Sequence, residues 1–297
     1  MGELLALVGA LSFSLSGLLI RYGQRQRPRD NGLFMTTVVN LAMYAALTLG
    51  AWAVGALPPI TAAGFGLFVL AGITNTLVGR WAWFQSMRAI GPSRSTALKA
   101  TAPVFAAILA LIFLGQPLPP ATVAGIGLVV CGVLVLHADN RPASTLAGSG
   151  RLGPGVGLGL ASSFSYGSGS VLRAAGLGFV PSPFLGALVG AVVAAASVLA
   201  SDALRGTLGQ RWADNLRNVP RAFVLAGALA GVAQLLQFAS LQLTTVARAT
   251  VIASAEPLIT TLLSAVFFSQ LDSITRRSAA SVAGIALGIA VVAGLRP

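Results

Sequence analysis

The chain is poor in the residues that most often carry chemistry. Its 297 residues include one cysteine, Cys131, one histidine, His137, one lysine, Lys99, and two glutamates, Glu3 and Glu256; charged residues make up only 9% of the whole. A single cysteine excludes an intrachain disulfide and says nothing about redox compartment; within an apolar run, Cys131 reads as packing. The lone histidine stands beside Asp139 at the end of an apolar run and reads as an interfacial residue, so no metal site is expected. No Gly-rich phosphate loop ending in Lys-Ser or Lys-Thr occurs, so the chain has no means of powering itself with nucleotide. With so few nucleophiles, acids and bases, an enzyme is not expected and no cofactor is called for.

What fills the chain instead is apolar. Hydrophobic residues make up 56% and the mean hydropathy is +0.85, far above ordinary soluble usage, so water is not the main solvent. Ten apolar runs lie near 4–20, 33–55, 64–87, 95–114, 121–137, 154–174, 183–201, 222–242, 248–268 and 279–295. Each is long enough to cross a hydrocarbon core of roughly 30 Å as a helix. They are too long, and too rich in Ala, Leu and Gly, for barrel strands. The expected class is therefore an all-α membrane protein of ten transmembrane helices, with the lipid bilayer as its first partner. The opening run lacks a basic leader and a small-residue cleavage site and is expected to stay as a membrane helix; Ala6 stands where myristoylation expects Ser or Thr.

A net charge of +12 would suggest a nucleic-acid partner in a soluble protein. Here the arginines at 21, 25, 27, 29, 88, 94, 141, 151, 205, 211, 217, 221, 276 and 277 all fall in the odd-numbered connections, and only Arg173, Arg248 and Arg296 belong to the other side. Positive connections stay in the cytoplasm, so both termini are expected outside and the charge is an orientation signal rather than a nucleic-acid site.

The runs form two sets of five. Residues 84–116 and 238–270 align at a constant offset of 154 with eight identities, Pro103 falling on Pro257; "VAGIGL" at 123–128 returns as "VAGIAL" at 282–287, and "SFS" at 12–14 returns at 163–165. An odd number of helices per unit makes the second unit enter the membrane from the opposite side, and the arginines switch connections to match. The expected division is a first unit over 1–140, a connecting loop over 141–151 and a second unit over 152–297.

The segments "ALKATAPVFAAILALIFLGQPLPPATVAGIGLVVCGV" and "ATVIASAEPLITTLLSAVFFSQ" resemble the EamA-type proteins of the drug/metabolite transporter superfamily, and the resemblance covers the whole chain. It implies a secondary carrier in the cytoplasmic membrane that exports small organic metabolites by alternating access. The chain departs from the family pattern at Gln116 and Gln270, where an acidic residue is usual, and at Phe13, where Trp is frequent. Many relatives are drawn with cytoplasmic termini, against the arginine distribution here. The competing classes are a membrane-embedded lipid-modifying enzyme and a helical scaffold that transports nothing.

Arg80, Lys99 and Glu256 fall inside apolar runs, where a charge costs roughly 2.5–3.5 kcal/mol on the mild insertion scale. Superposing the repeats puts Lys99 on Ala253 and Glu256 on Ala102, three residues apart and so on one helical face. That face continues through Thr260 and Ser264 in the ninth run, and through Pro103, Ala106 and Ala110 in the fourth. Pro103 and Pro257 read as helix-breaking, and Pro257 frees the carbonyl of Ala253 from its helical hydrogen bond, a candidate ligand contact. The same offset pairs Arg80 with Gln234 and Trp83 with Gln237, and Trp81, Trp83 and Phe84 offer flat contact surface. A small-molecule solute that is amino-acid-like or an organic anion suits this set, with protons as a candidate coupling ion. Glu256 is read either as that solute or proton site or as a static ion-pair partner of Lys99 or Arg80. Arg80 and Lys99 either line a cavity or reach back to the interface. "GALVG" at 186–190 and "GIALG" at 284–288 read as intramolecular packing and leave the oligomeric state open.

Overall fold

The computed structural model describes residues 1–26, 32–90, 92–139, 152–204, 206, 209, 221–267 and 276–294, and every regular element among them is a helix. In chain order these are α1 (Gly2–Gln26), α2 (Leu33–Ala53), α3 (Ala62–Ile90), α4 (Pro92–Lys99), α5 (Ala102–Leu114), α6 (Pro120–Asp139), α7 (Leu152–Phe179), α8 (Pro183–Leu204), α9 (Arg221–Leu243), α10 (Val246–Ala253), α11 (Glu256–Phe267) and α12 (Arg276–Ala293). A helix pairs its own backbone groups except at its two ends, which is why a chain in lipid takes this form.

Among the described residues, six helices are long and apolar enough to cross a membrane: α1, α2, α3, α8, α9, and α10 taken with the first part of α11. The expected ten are not all continuous. The fourth run splits into α4 and α5 at Ala100 and Thr101, and the ninth into α10 and α11 at Ser254 and Ala255. These breaks are equivalent under the offset of 154, and each is followed by a proline at the second position of the next helix, Pro103 and Pro257. Proline fits there because its missing N–H is one that a helix start leaves unpaired. The sixth run fails on composition: α7 has 28 residues but is diluted by Gly and Ser. α3 contains a π-helical stretch, Ile73–Gly79, whose wider turn a Cβ on Gly79 would crowd at 3.0 Å from the carbonyl of Thr74.

Packing follows an exchange of partners between the two sets. α1 lies against α9 and against α10 and α11, while α7 lies against α3 and against α4 and α5; α2 packs on α9 as α8 packs on α3. α6 pairs with α12, α2 with α8, and α5 with α10. Several of these directions are antiparallel. Gly2 meets Leu243 while Gly23 meets Phe223, and Gly125 meets Val292 while Gly284 meets Gly132. Close approach is what the glycines provide: Cβ atoms on Gly125 and Gly288 would each stand 2.9 Å from the other residue's carbonyl oxygen. The small-residue motifs therefore pack within the chain, Gly186 against Phe238 and Gly288 against Val129.

Two apolar cores result. One joins Tyr44, Phe68, Ala106, Val180, Leu185 and Phe238; the other joins Val129, Val133, Val251 and Ile285. Ile112, Phe113, Leu49 and Trp52 point outward, as does Cys131, which is exposed rather than packed as its apolar surroundings suggested. The side chains of His137, Ser264, Arg276 and Arg277, together with all of Gln270, Arg27, Arg29, Arg141, Arg151, Arg205, Arg211 and Arg217, lie outside the described residues.

Candidate functional site

Both helix breaks border a central cavity of about 600 Å³, a volume that suits a small molecule. α4 ends at Lys99, and α11 begins at Glu256. A helix carries partial negative charge at its C-terminus and partial positive charge at its N-terminus, so each side chain stands at the helix end of opposite sign. Lys99 and Glu256 both line the cavity, and no ion pair joins them among the described residues. Glu256 is exposed to this space. The static-partner reading of Glu256 thus lacks a contact in this conformation.

Serines from the repeated "SFS" motif hold the breaks. Ser163 on α7 approaches the carbonyls of Leu98 at 2.8 Å and Lys99 at 3.0 Å, and shares a 2.9 Å hydrogen bond with the Thr101 hydroxyl. On the other side Ser14 of α1 donates to the carbonyl of Glu256 at 3.0 Å. The first helix of each set therefore ties down the broken helix of the other set, Ser163 at the carbonyl end of α4 and Ser14 at the first turn of α11.

The ammonium of Lys99 lies 4.5 Å from the ring centre of Trp83 and 4.4 Å from that of Tyr166, a cation held between two aromatic faces. Arg80 lines the cavity, as do Gln234 and Gln237. Trp83 supports Lys99 from behind and is not part of the lining; Trp81 and Phe84 are exposed on the outside of the bundle. The aromatic lining consists instead of Phe13, Tyr44, Phe68, Tyr166 and Phe238. Thr260 also falls outside the lining, because the cavity ends at Pro257 and α11 then packs on α1. Ala106 and Ala110 are buried in the core under α7 rather than open to solute. Gln116 accepts the N–H of Val246 at 2.8 Å and so caps the start of α10, a structural use for an amide at a family-acidic position.

Arg173 corrects the sequence reading most. Counted there with the outer connection, it lies inside α7, lines the cavity and places its guanidinium 5.1 Å from the ring centre of Phe238. Arg248, counted on the same side, pairs with Glu3 at 3.3 Å. Sequence reasoning also missed the polar groups around Arg173: the Tyr44 hydroxyl donates to the carbonyl of Gly231 at 3.0 Å, and the amide oxygens of Asn40 and Asn75 have no hydrogen-bond partner. Asn75 is 7% exposed and stands in the π-helical stretch of α3.

The cavity is asymmetric along the bundle. At one end its lining includes Ile20, Leu33 and Thr96, near the ends of helices that lead to arginine-bearing connections. At the other it stops at Phe68 and Phe238, both buried and packed edge to face with ring centres 6.1 Å apart. Gly176 and Gly186 make room for these rings, since a Cβ on either would come within 2.7 Å of them.

The described residues form a helical bundle with a polar, charged cavity at paired helix breaks, which fits a multi-pass membrane protein. The chain belongs to the EamA-like transporter family, whose model matches residues 1–137 and again 153–294. It is thus a transporter of the drug/metabolite type. No curated protein matches it in sequence. A solved crystal structure of another protein shares the fold, with a TM-score of 0.74 at 18% identity over 98% of this chain and 95% of its own.

Proposed function

We propose that the chain is a secondary carrier that exports small organic metabolites, amino-acid-like or anionic, by alternating access between two inverted units over 1–140 and 152–297, joined by 141–151. In this reading α4 with α5, and α10 with α11, each make one interrupted crossing, giving ten in all. The observation that carries it is the cavity of about 600 Å³ bordered by both breaks, with Lys99 at one and Glu256 at the other. Broken helices at a repeat interface are how a carrier presents helix ends and freed backbone groups to a solute within the bilayer.

The exchange of packing partners and the antiparallel pairing of α6 with α12 support an inverted relation between the units. Lys99, Arg80, Gln234 and Gln237 act on the solute, Glu256 acts on the solute and on a proton, and Trp83 positions Lys99. The phenylalanine pair at one end and the lining that continues toward the arginine-rich end support a reading in which the cavity opens on that side, which the arginine distribution would make the cytoplasmic side of the cytoplasmic membrane. Export, rather than import, follows the family resemblance.

Counterflow into liposomes loaded with amino acids, organic anions, sugars, nucleosides or organic cations tests the reading. A carrier exchanges at least one class in a saturable manner, and that exchange falls in Lys99→Met. Absence of exchange for all classes, in protein that is folded by its thermal transition, refutes it and leaves a scaffold.

A further inference from the structure

Resting on the carrier reading, we infer that the cavity is built for an organic dianion, a solute with two acidic groups set apart, and that Arg173 is the second anion-binding pole. The charge balance is the first argument. Arg80, Lys99 and Arg173 line the cavity, and Glu256 is the one carboxylate among the described lining residues. None of the three cations takes part in an ion pair among the described residues. Two positive charges are left unmatched in a low-dielectric surrounding, an arrangement that favours an entering dianion and disfavours a cation.

The second argument is position. Tyr166, Ser170 and Arg173 share the cavity-facing stripe of α7 at helical spacing. Lys99 stands over Tyr166, and Arg173 is two turns further along, about 10 Å by helical rise. The two poles therefore meet opposite ends of one solute rather than one shared acidic group. Each pole has an aromatic wall, Trp83 and Tyr166 for Lys99 and Phe238 for Arg173, that excludes water from the pair it would form. Between the poles, the amide oxygen of Asn75, which has no partner, can accept a hydrogen bond from a donor on the body of the solute. The planar fork of Arg173 matches a carboxylate with two parallel hydrogen bonds, which an ammonium does not.

The test uses the full chain in detergent, titrated calorimetrically with linear α,ω-dicarboxylates of increasing length, with monocarboxylates of the same carbon count and with the neutral diamides; counterflow in liposomes uses the same compounds. A dicarboxylate of intermediate length is expected to bind on the order of ten-fold or more tighter than its monocarboxylate, the effect of one further charged hydrogen bond. Arg173→Gln should collapse that ratio toward unity, and Arg173→Lys, which keeps the charge without the fork, should restore part of it. If Arg173→Gln does not fold, Lys99→Gln at the other pole should produce the same collapse. Dicarboxylates that bind no tighter than monocarboxylates overturn the inference, as does an unchanged ratio in folded Arg173→Gln. Exchange of other solutes with no preference for dicarboxylates overturns it while the carrier reading stands. Dicarboxylate binding without exchange of any compound supports the two-pole site and defeats the carrier.

Discussion

Replacing Glu256 by glutamine removes one negative charge and almost no volume, and the structure sets what this should cost. The carboxylate has no ion pair among the described residues and is exposed to the cavity, so no buried salt bridge is broken. What is lost is the attraction of an anion, across an open cavity, to the N-terminus of α11 and to Lys99, about 0.3–1 kcal/mol in all. For a chain of this size such a loss lowers the unfolding midpoint by about 2 °C or less. A buried ion pair broken from one side would cost roughly 3–5 kcal/mol and a correspondingly larger drop. The assay pairs thermal unfolding in detergent with two liposome measurements, solute counterflow and uptake driven by a pH gradient. Glu256→Gln is expected to keep its midpoint and some counterflow and to lose the pH-driven component. A large drop in midpoint that Lys99→Met repairs would show that Glu256 serves as a static partner in a conformation other than this one. Undiminished pH-driven uptake would remove the proton role.

Three further outcomes follow from the packing and the charge pattern. Gly167→Ala should destabilise by about 1–3 kcal/mol, because its Cβ would stand 2.8 Å from the backbone nitrogen of Ala106 and 2.9 Å from the carbonyl oxygen of Ala102, which cannot swing away. Gly157→Ala, with nothing within 4 Å, should instead be neutral or stabilise by about 0.5–1 kcal/mol; equal thermal midpoints for the two variants would contradict the packing argument. Ser163→Ala should cost about 1 kcal/mol and lower counterflow, since it strips a hydroxyl from the carbonyls of Leu98 and Lys99; unaltered midpoint and exchange would show that the break holds itself. Both termini should be labelled from outside intact cells and the connection around Arg25 should not, and a fluorescent C-terminal GFP fusion would reverse that orientation.

The helix breaks were legible in the sequence because proline and a constant offset mark them: Pro103 and Pro257 each begin a new helix at equivalent places. Lys99 and Glu256 stood out because a lone charge in an apolar run has few places to go. Arg173 was hidden by the same reasoning. It stands at the end of an apolar run, where hydropathy reads a connection, but α7 continues through "AAGLGF" to Phe179 and carries the arginine inside. Asn75 was hidden because nothing local announces a π-helical turn. The aromatic residues after Arg80 misled in the opposite direction, since Trp81, one residue away, must leave the face that Arg80 occupies. Thr260 has the spacing to follow Glu256, but where α1 lies down on α11 is a fact of tertiary packing.

The exchange of partners between the two sets also bears on how the chain is made. α1 rests its glycine edge on α9, and Ser16 of α1 donates to the carbonyl of Ala226, so the first helix released into the bilayer finds its main neighbour only after most of translation is over. Until then its small-residue groove is open to any passing helix, and the early half is an incomplete object awaiting its mate rather than a folded module. Halves produced from separate messages should accordingly be degraded when alone and rescue one another when made together, with assembly limited by their meeting in the plane of the membrane.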